Sequence, residues 1–250
     1  MSPSVMLLIV ALTAATGAMI QRLSGMGFGL LSVPVLVVVL GPVDGVLVVN
    51  ALAVINAALT TWTVRQFVDW AKFRIIAPAL FVGAFPGVWL IRVLQPAPLQ
   101  ITVGVLLLVA LAVVIGGARF FPPVEGKIPA VIGGLCGGFM NTIAAVAGPA
   151  ITVYAQAARW PHATLAATLQ PLFVVSGAVS FMLKILLGAG SVESVNPCLW
   201  PAAVAGMFIG IATGAVLSRY VPRQWARRVA LVVAGSGGLA AVVRGVVSLG

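Results

Sequence analysis

Gln21-Arg-Leu-Ser-Gly-Met-Gly-Phe-Gly-Leu-Leu-Ser-Val-Pro34 interrupts an apolar run that otherwise extends from Val5 to Leu40. Glycine costs a helix interior about 1 kcal/mol relative to alanine. Gly25, Gly27 and Gly29 together therefore predict a break at Ser24–Gly29, between a segment Val5–Arg22 and a short one, Leu30–Leu40. A second interruption at Asn141–Gly148 separates Ile128–Met140 from Pro149–Ala158. Longer apolar segments surround these pairs: Val46–Val64, Ile75–Leu94 and Leu99–Gly117 after the first, then Ala163–Leu187, Cys198–Leu217 and Trp225–Val247 after the second. A helix needs about 20 apolar residues to cross a bilayer, and the long segments meet that length.

Composition agrees. Hydrophobic residues make up 62% of the 250, and charged residues 7%, against about 25% in soluble domains. The chain reads as one transmembrane domain, 1–250, with no soluble insert. The net charge of +10 does not indicate nucleic acid, because the basic residues are scattered between apolar segments, as the positive-inside rule predicts. Residues 3–20 lack the basic start and clean cleavage site of a signal peptide and are expected to be retained. Cys136 and Cys198 lie in apolar segments without metal or disulfide spacing and are read as small buried hydrophobes.

Each broken pair is followed by three spans, which suggests internal repeats at about 1–118 and 128–250. An offset of 119 residues aligns Gly29 with Gly148, Pro42 with Pro161 and Pro78 with Pro197. Gly83-x-x-x-Gly87 then corresponds to Gly206-x-x-x-Gly210, a spacing that lets helix backbones approach closely in lipid. If each broken pair is a hairpin, Arg92, Lys184 and Arg244 fall on one side. Ten basic residues fall on the other: Arg65, Lys72, Arg74, Arg119, Lys127, Arg159, Arg219, Arg223, Arg227 and Arg228. If each pair is a single interrupted span, the split is seven against six. The positive-inside rule favours hairpins, re-entrant or crossing, with both termini periplasmic or extracellular. The expected fold is an all-α integral membrane protein of two inverted repeats, each a broken helical hairpin plus three transmembrane helices. Such repeats point to a secondary transporter with its site near the midplane.

Irregular backbone at membrane depth is tolerated where it is buried in protein or lines a cavity. Glycines leave N–H groups free there, and a half-helix N-terminus suits an anion. Gly27 and Gly29 precede one half-helix, and Gly148 with Pro149 opens the other. The same glycines could instead serve only close packing. Arg22 lies beside the first break, where a mid-bilayer charge costs about 2.5–3.5 kcal/mol. Either it anchors an oxyanion or it snorkels to the interface. Gln21, Ser24, Asn141 and Thr142 add neutral hydrogen-bond donors. At offset 119 the partner of Arg22 is Asn141, and Asn50 aligns with Leu169, next to Gln170. Asn50 and Gln170 either line the solute path or join helices, whereas Asn56 is expected to face a neighbouring helix. His162 reads as a loop-surface residue. Asp44, Asp69, Glu125 and Glu193 all fall in or beside loops, so no carboxylate is expected within a span. Catalytic and nucleotide-binding motifs are missing, so no enzyme activity, cofactor or metal is expected.

At the breaks the sequence resembles the TauE/SafE family of bacterial sulfite exporters and anion permeases. The resemblance rests on Gly25-Met-Gly-Phe-Gly-Leu-Leu-Ser-Val-Pro34, with Phe28 where glycine is common, and on the variant Ala144-Ala-Val-Ala-Gly-Pro149. Pro42, Pro161 and the stretch from Gly206 to Pro222 extend it over nearly the whole chain. It implies a carrier of sulfite, organosulfonates or related organic oxyanions in the bacterial inner membrane, working by export. Small anions and membrane lipids are the expected partners, with a homodimer as a further option. A non-transporting scaffold subunit is the alternative.

Overall fold

A computed structural model of the chain describes residues 2–25, 27–116, 124 and 126–249. Ten α-helices run in order: α1 Pro3–Ser24, α2 Phe28–Leu40, α3 Pro42–Val64, α4 Trp70–Val93, α5 Pro96–Gly116, α6 Ile128–Ala144, α7 Gly148–Ala157, α8 His162–Leu186, α9 Leu199–Leu217 and α10 Arg223–Val247. The fold is all-helical, with no strand among the described residues. Among the described residues, seven helices are long and apolar enough to cross a membrane: α1, α3, α4, α5, α8, α9 and α10. Large apolar side chains such as Trp62, Trp89 and Phe208 are exposed on the outside of the bundle, where lipid replaces water.

Local chemistry sets the helix starts. Proline stands in the first turn of α1, α3, α6 and α7, where its missing N–H costs nothing. Asp69 caps α4 by accepting a hydrogen bond from the Lys72 N–H at 3.0 Å.

Close approach joins the helices. Gly206 and Gly210 of α9 lie against the Ala11 and Ala15 backbone of α1, and Gly83 of α4 lies against Leu135 of α6. Gly87 faces Thr142, where an added Cβ would stand 2.8 Å from that side chain. The small-residue spacings thus pack helices as expected. The pairings are also exchanged between the halves: α1 packs on α9 and α6 on α4, while α3 packs on α8 and α5 on α10. This exchange is consistent with the inverted repeats read from the sequence.

Four details differ from expectation. Matching helix boundaries lie 120 residues apart, not 119: α1 and α6 end at Ser24 and Ala144, α2 and α7 start at Phe28 and Gly148, and α3 and α8 start at Pro42 and His162. The second break is shorter than expected, because α6 continues to Ala144 and carries Asn141 and Thr142 on its last turns. Cys136 and Cys198 are exposed rather than buried, Cys136 on an outward face of α6 and Cys198 in the turn that caps α9. Asp44, beside a loop as expected, nevertheless falls inside the membrane-length segment Pro42–Phe67, in the first turn of α3, where it accepts a hydrogen bond from Ser194 Oγ at 2.7 Å. Arg119 and Glu125 lie outside the described residues.

Candidate functional site

The two broken pairs meet. The start of α6 and the end of α7 lie at one end of the bundle, where the Val124 N–H donates to the Ala157 carbonyl at 3.2 Å. The pair therefore forms a hairpin. At the tips, α1 ends on Gly25 with φ 81° and α6 ends on Ala145 with φ 49°. Both are left-handed caps. The Ala145 carbonyl occupies the space where a Cβ on Gly29 would stand, so only glycine allows the tips to touch.

A cavity of about 40 Å³ lies at this junction, lined by Gln21, Gly27, Gly29, Asn141, Gly148 and Pro149 with the rings of Phe28 and Phe173. It brings together five of the residues singled out in the sequence. The first turns of α2 and α7 both border it. The first-turn N–H groups of a helix have no partner within the helix, and they carry the positive end of its dipole. The cavity thus gathers two helix N-termini and two side-chain amides, and no carboxylate among the described residues lines it.

The amides form two sets. In the first, Gln21 Nε2 donates to Gln170 Oε1 at 3.3 Å, and Gln21 Oε1 accepts from the Phe28 N–H at 3.3 Å. Gln170 Nε2 donates to the Gly25 carbonyl at 2.9 Å. In the second, Asn141 Nδ2 donates to Asn50 Oδ1 at 3.0 Å and to Ser180 Oγ at 3.1 Å. Thr142 Oγ1 donates to the Gly138 carbonyl at 2.9 Å, so the 2.9 Å contact between Thr142 and Ser180 takes its proton from Ser180. At a spacing of 120 residues, Gln21 corresponds to Asn141 and Gln170 to Asn50. The polar pairs therefore repeat, with amide bonded to amide across the two parts of the chain in each.

Beyond the Gln21–Gln170 pair a second cavity of about 310 Å³ opens, lined by Arg22, Ser24, Thr60, His162 and both glutamines. Val64 and Phe67 place this vestibule at the end of the bundle that carries the loops after α3 and α7. Arg22 is exposed there, and no hydrogen bond or ion pair engages it among the described residues. Its guanidinium lines the vestibule rather than the central cavity. Asn50 and Thr142 are fully buried and line neither. Phe28, Phe173 and Ser180 were missed in the sequence, as was Lys184, which lies one turn beyond Ser180. Ser180 is detectable only once α8 is built, ten residues after Gln170.

Two broken helix pairs that meet between amide pairs, in a bundle with seven membrane-length helices among the described residues, fit a membrane transporter. The chain belongs to the sulfite exporter TauE/SafE family, whose model matches residues 9–241. It is also similar to the probable inner membrane transporter protein TsaS of Comamonas testosteroni, with 28% identity over 174 residues, 69% of this chain and 72% of that protein. No solved structure matches the chain at a significant level.

Proposed function

We propose that the chain is a secondary transporter or facilitator of a small oxyanion, sulfite or a related sulfonate, acting in the bacterial inner membrane in the direction of export. The observation that carries this reading is the convergence of two helix N-termini on one buried cavity without a carboxylate. Such a site is complementary to negative charge and resembles the arrangement in carriers built from broken helices. A water needs roughly 10–15 Å³ of cavity, so about 40 Å³ holds a group of a few water-sized atoms. That size suits a small inorganic oxyanion and requires movement of the tips for a bulkier sulfonate. Arg22 concentrates the anion in the vestibule, and Gln21, Ser24 and Gln170 offer it donors on the way in. Gly27, Gly29, Asn141 and Gly148 hold it at the centre.

In this reading the protein consists of two inverted repeats, 1–118 and 128–250, and has been captured open toward the vestibule. Positive-inside charge assigns the vestibule to the cytoplasm and both termini to the outside. Neither cavity has an Asp or Glu in its lining. Transport is therefore uncoupled or driven through protonation of the substrate, and outward movement of an anion follows a potential that is positive outside. The test is uptake of labelled sulfite by purified protein in liposomes. Saturable flux above empty vesicles without sodium is the expected result. Absence of flux for any oxyanion, or strict dependence on sodium, overturns the reading.

A further inference from the structure

Lys184 is fully buried, and its Nζ has no hydrogen-bond or ionic partner among the described residues. Burying an unpaired ammonium costs several kcal/mol, and an orphaned polar group of this kind calls for an explanation. Position supplies one. Lys184 follows Ser180 by four residues on α8, so both lie on one helix face. Ser180 belongs to the sealed Asn141–Asn50 set. One turn further out, the Lys184 Cβ stands 3.8 Å from the point where a Cβ on Gly190 would lie, and that same point is within 4.0 Å of Leu47 and 3.2 Å of Val43 on α3. Lys184 thus lies between α3, α8 and the turn after α8, directly beyond the amide set on the side opposite the vestibule.

A second orphan lies on the same line. Asn50 gives its Oδ1 to Asn141, but its Nδ2 donates to nothing. Both unsatisfied groups are donors, and neither has an acceptor within hydrogen-bond reach among the described residues. A donor without an acceptor is matched by a ligand that brings acceptors, and an anion does so for both.

We propose that Lys184 and the Asn50 amide form a second anion-binding station in the occluded half of the pathway, reached when the Asn141–Ser180–Thr142 set separates. Lys184 there supplies the positive charge that Arg22 supplies in the vestibule. This inference rests on the oxyanion-transport reading above. The test compares wild type, Lys184→Met and Lys184→Arg in liposomes with labelled sulfite, alongside the melting temperature of each purified protein. Lys184→Met keeps the volume and removes the charge. Its flux is expected to fall at least about tenfold, while its melting temperature stays equal or rises because an unpaired buried charge is gone. Lys184→Arg is expected to retain part of the flux. Wild-type flux with Lys184→Met within twofold of it overturns the station and leaves the transport reading intact. Loss of flux together with a lower melting temperature assigns Lys184 a structural role and also overturns the station. Absence of wild-type flux overturns both.

Discussion

The two amide sets match at a spacing of 120 residues, each joins the two parts of the chain, and they are in opposite states. Gln21–Gln170 borders a vestibule of about 310 Å³, whereas Asn141–Asn50 is sealed beneath Ser180 and Thr142, both fully buried. The residues next to each set show why. At a spacing of 120, Thr142 corresponds to Arg22 and Ser180 to Thr60. Thr142 and Ser180 satisfy each other at 2.9 Å and can be packed dry. Arg22 and Thr60 both line the vestibule instead, because a guanidinium without a buried partner has to keep its water. At this register, threonine stands beside the set that is sealed and arginine beside the set that is open.

This comparison can be broken at several points. The largest effect should come from the packing that both halves share. Gly206→Leu forces a side chain into the α1 backbone, and Gly83→Leu does the same against α6. Overpacking of this kind costs about 1–3 kcal/mol or more. Both variants should give mostly unfolded or aggregated protein by gel filtration in detergent. Damage confined to one of them would show that the halves are not equivalent. Next comes Arg22→Ala, expected to lower sulfite flux about tenfold through loss of a charge-assisted contact, with Arg22→Lys in between. Unchanged flux in Arg22→Ala would mean that the arginine only snorkels. Ser180→Ala removes the acceptor of one Asn141 bond and the donor to Thr142. It should destabilise the protein by about 1 kcal/mol in thermal melts. No loss of stability would show that the seal does not depend on this hydroxyl.

Much of this was legible in the sequence, and the misses have physical causes. The breaks, the spans and the Gly-x-x-x-Gly contacts follow from glycine placement and segment length, and Pro149 opens α7 as its fixed φ requires. The register was one residue off because it was read from glycines and prolines. The left-handed cap that Gly25 makes in the first half is made by Ala145 in the second, so matching glycine to glycine passes over the true equivalent. At the corrected spacing Arg22 aligns with Thr142 rather than Asn141, and Asn50 meets Gln170 itself. The charge count sets Lys184 with Arg92 and Arg244 on one side, because it stands near the end of an apolar run. In the folded chain the following segment returns over it, with Ala189 and Val195 buried and Ser194 bonded to Asp44. Hydropathy along the chain does not register that cover.

The smallest expected effect concerns the vestibule end alone. Asp69 pairs with Lys72 at 3.0 Å and its backbone N–H donates to Thr168 Oγ1 at 3.0 Å, tying the start of α4 to α8. Partial burial pushes the Asp69 carboxyl upward, but the hydrogen bonds and charge of Lys72 outweigh it and hold the carboxyl below its ordinary 3.8. A lowered folded value means that the ionised pair stabilises the fold above the ordinary value, and that this contribution disappears as the pH falls through and below 3.8. The pair is partly exposed, so the contribution is about a few tenths of a kcal/mol. Asp69→Asn keeps a capping oxygen and should therefore melt slightly below wild type at neutral pH and level with it in acid. A difference that grows in acid would contradict this assignment.

The anion site between the half-helices is tested most directly by crystals soaked with selenite, a heavier relative of sulfite, and read by anomalous scattering. The expected result is a peak between the first turns of α2 and α7, within hydrogen-bond reach of the Gly29 and Gly148 N–H groups. A peak confined to the vestibule beside Arg22, or no ordered peak at a concentration that saturates transport, would contradict it.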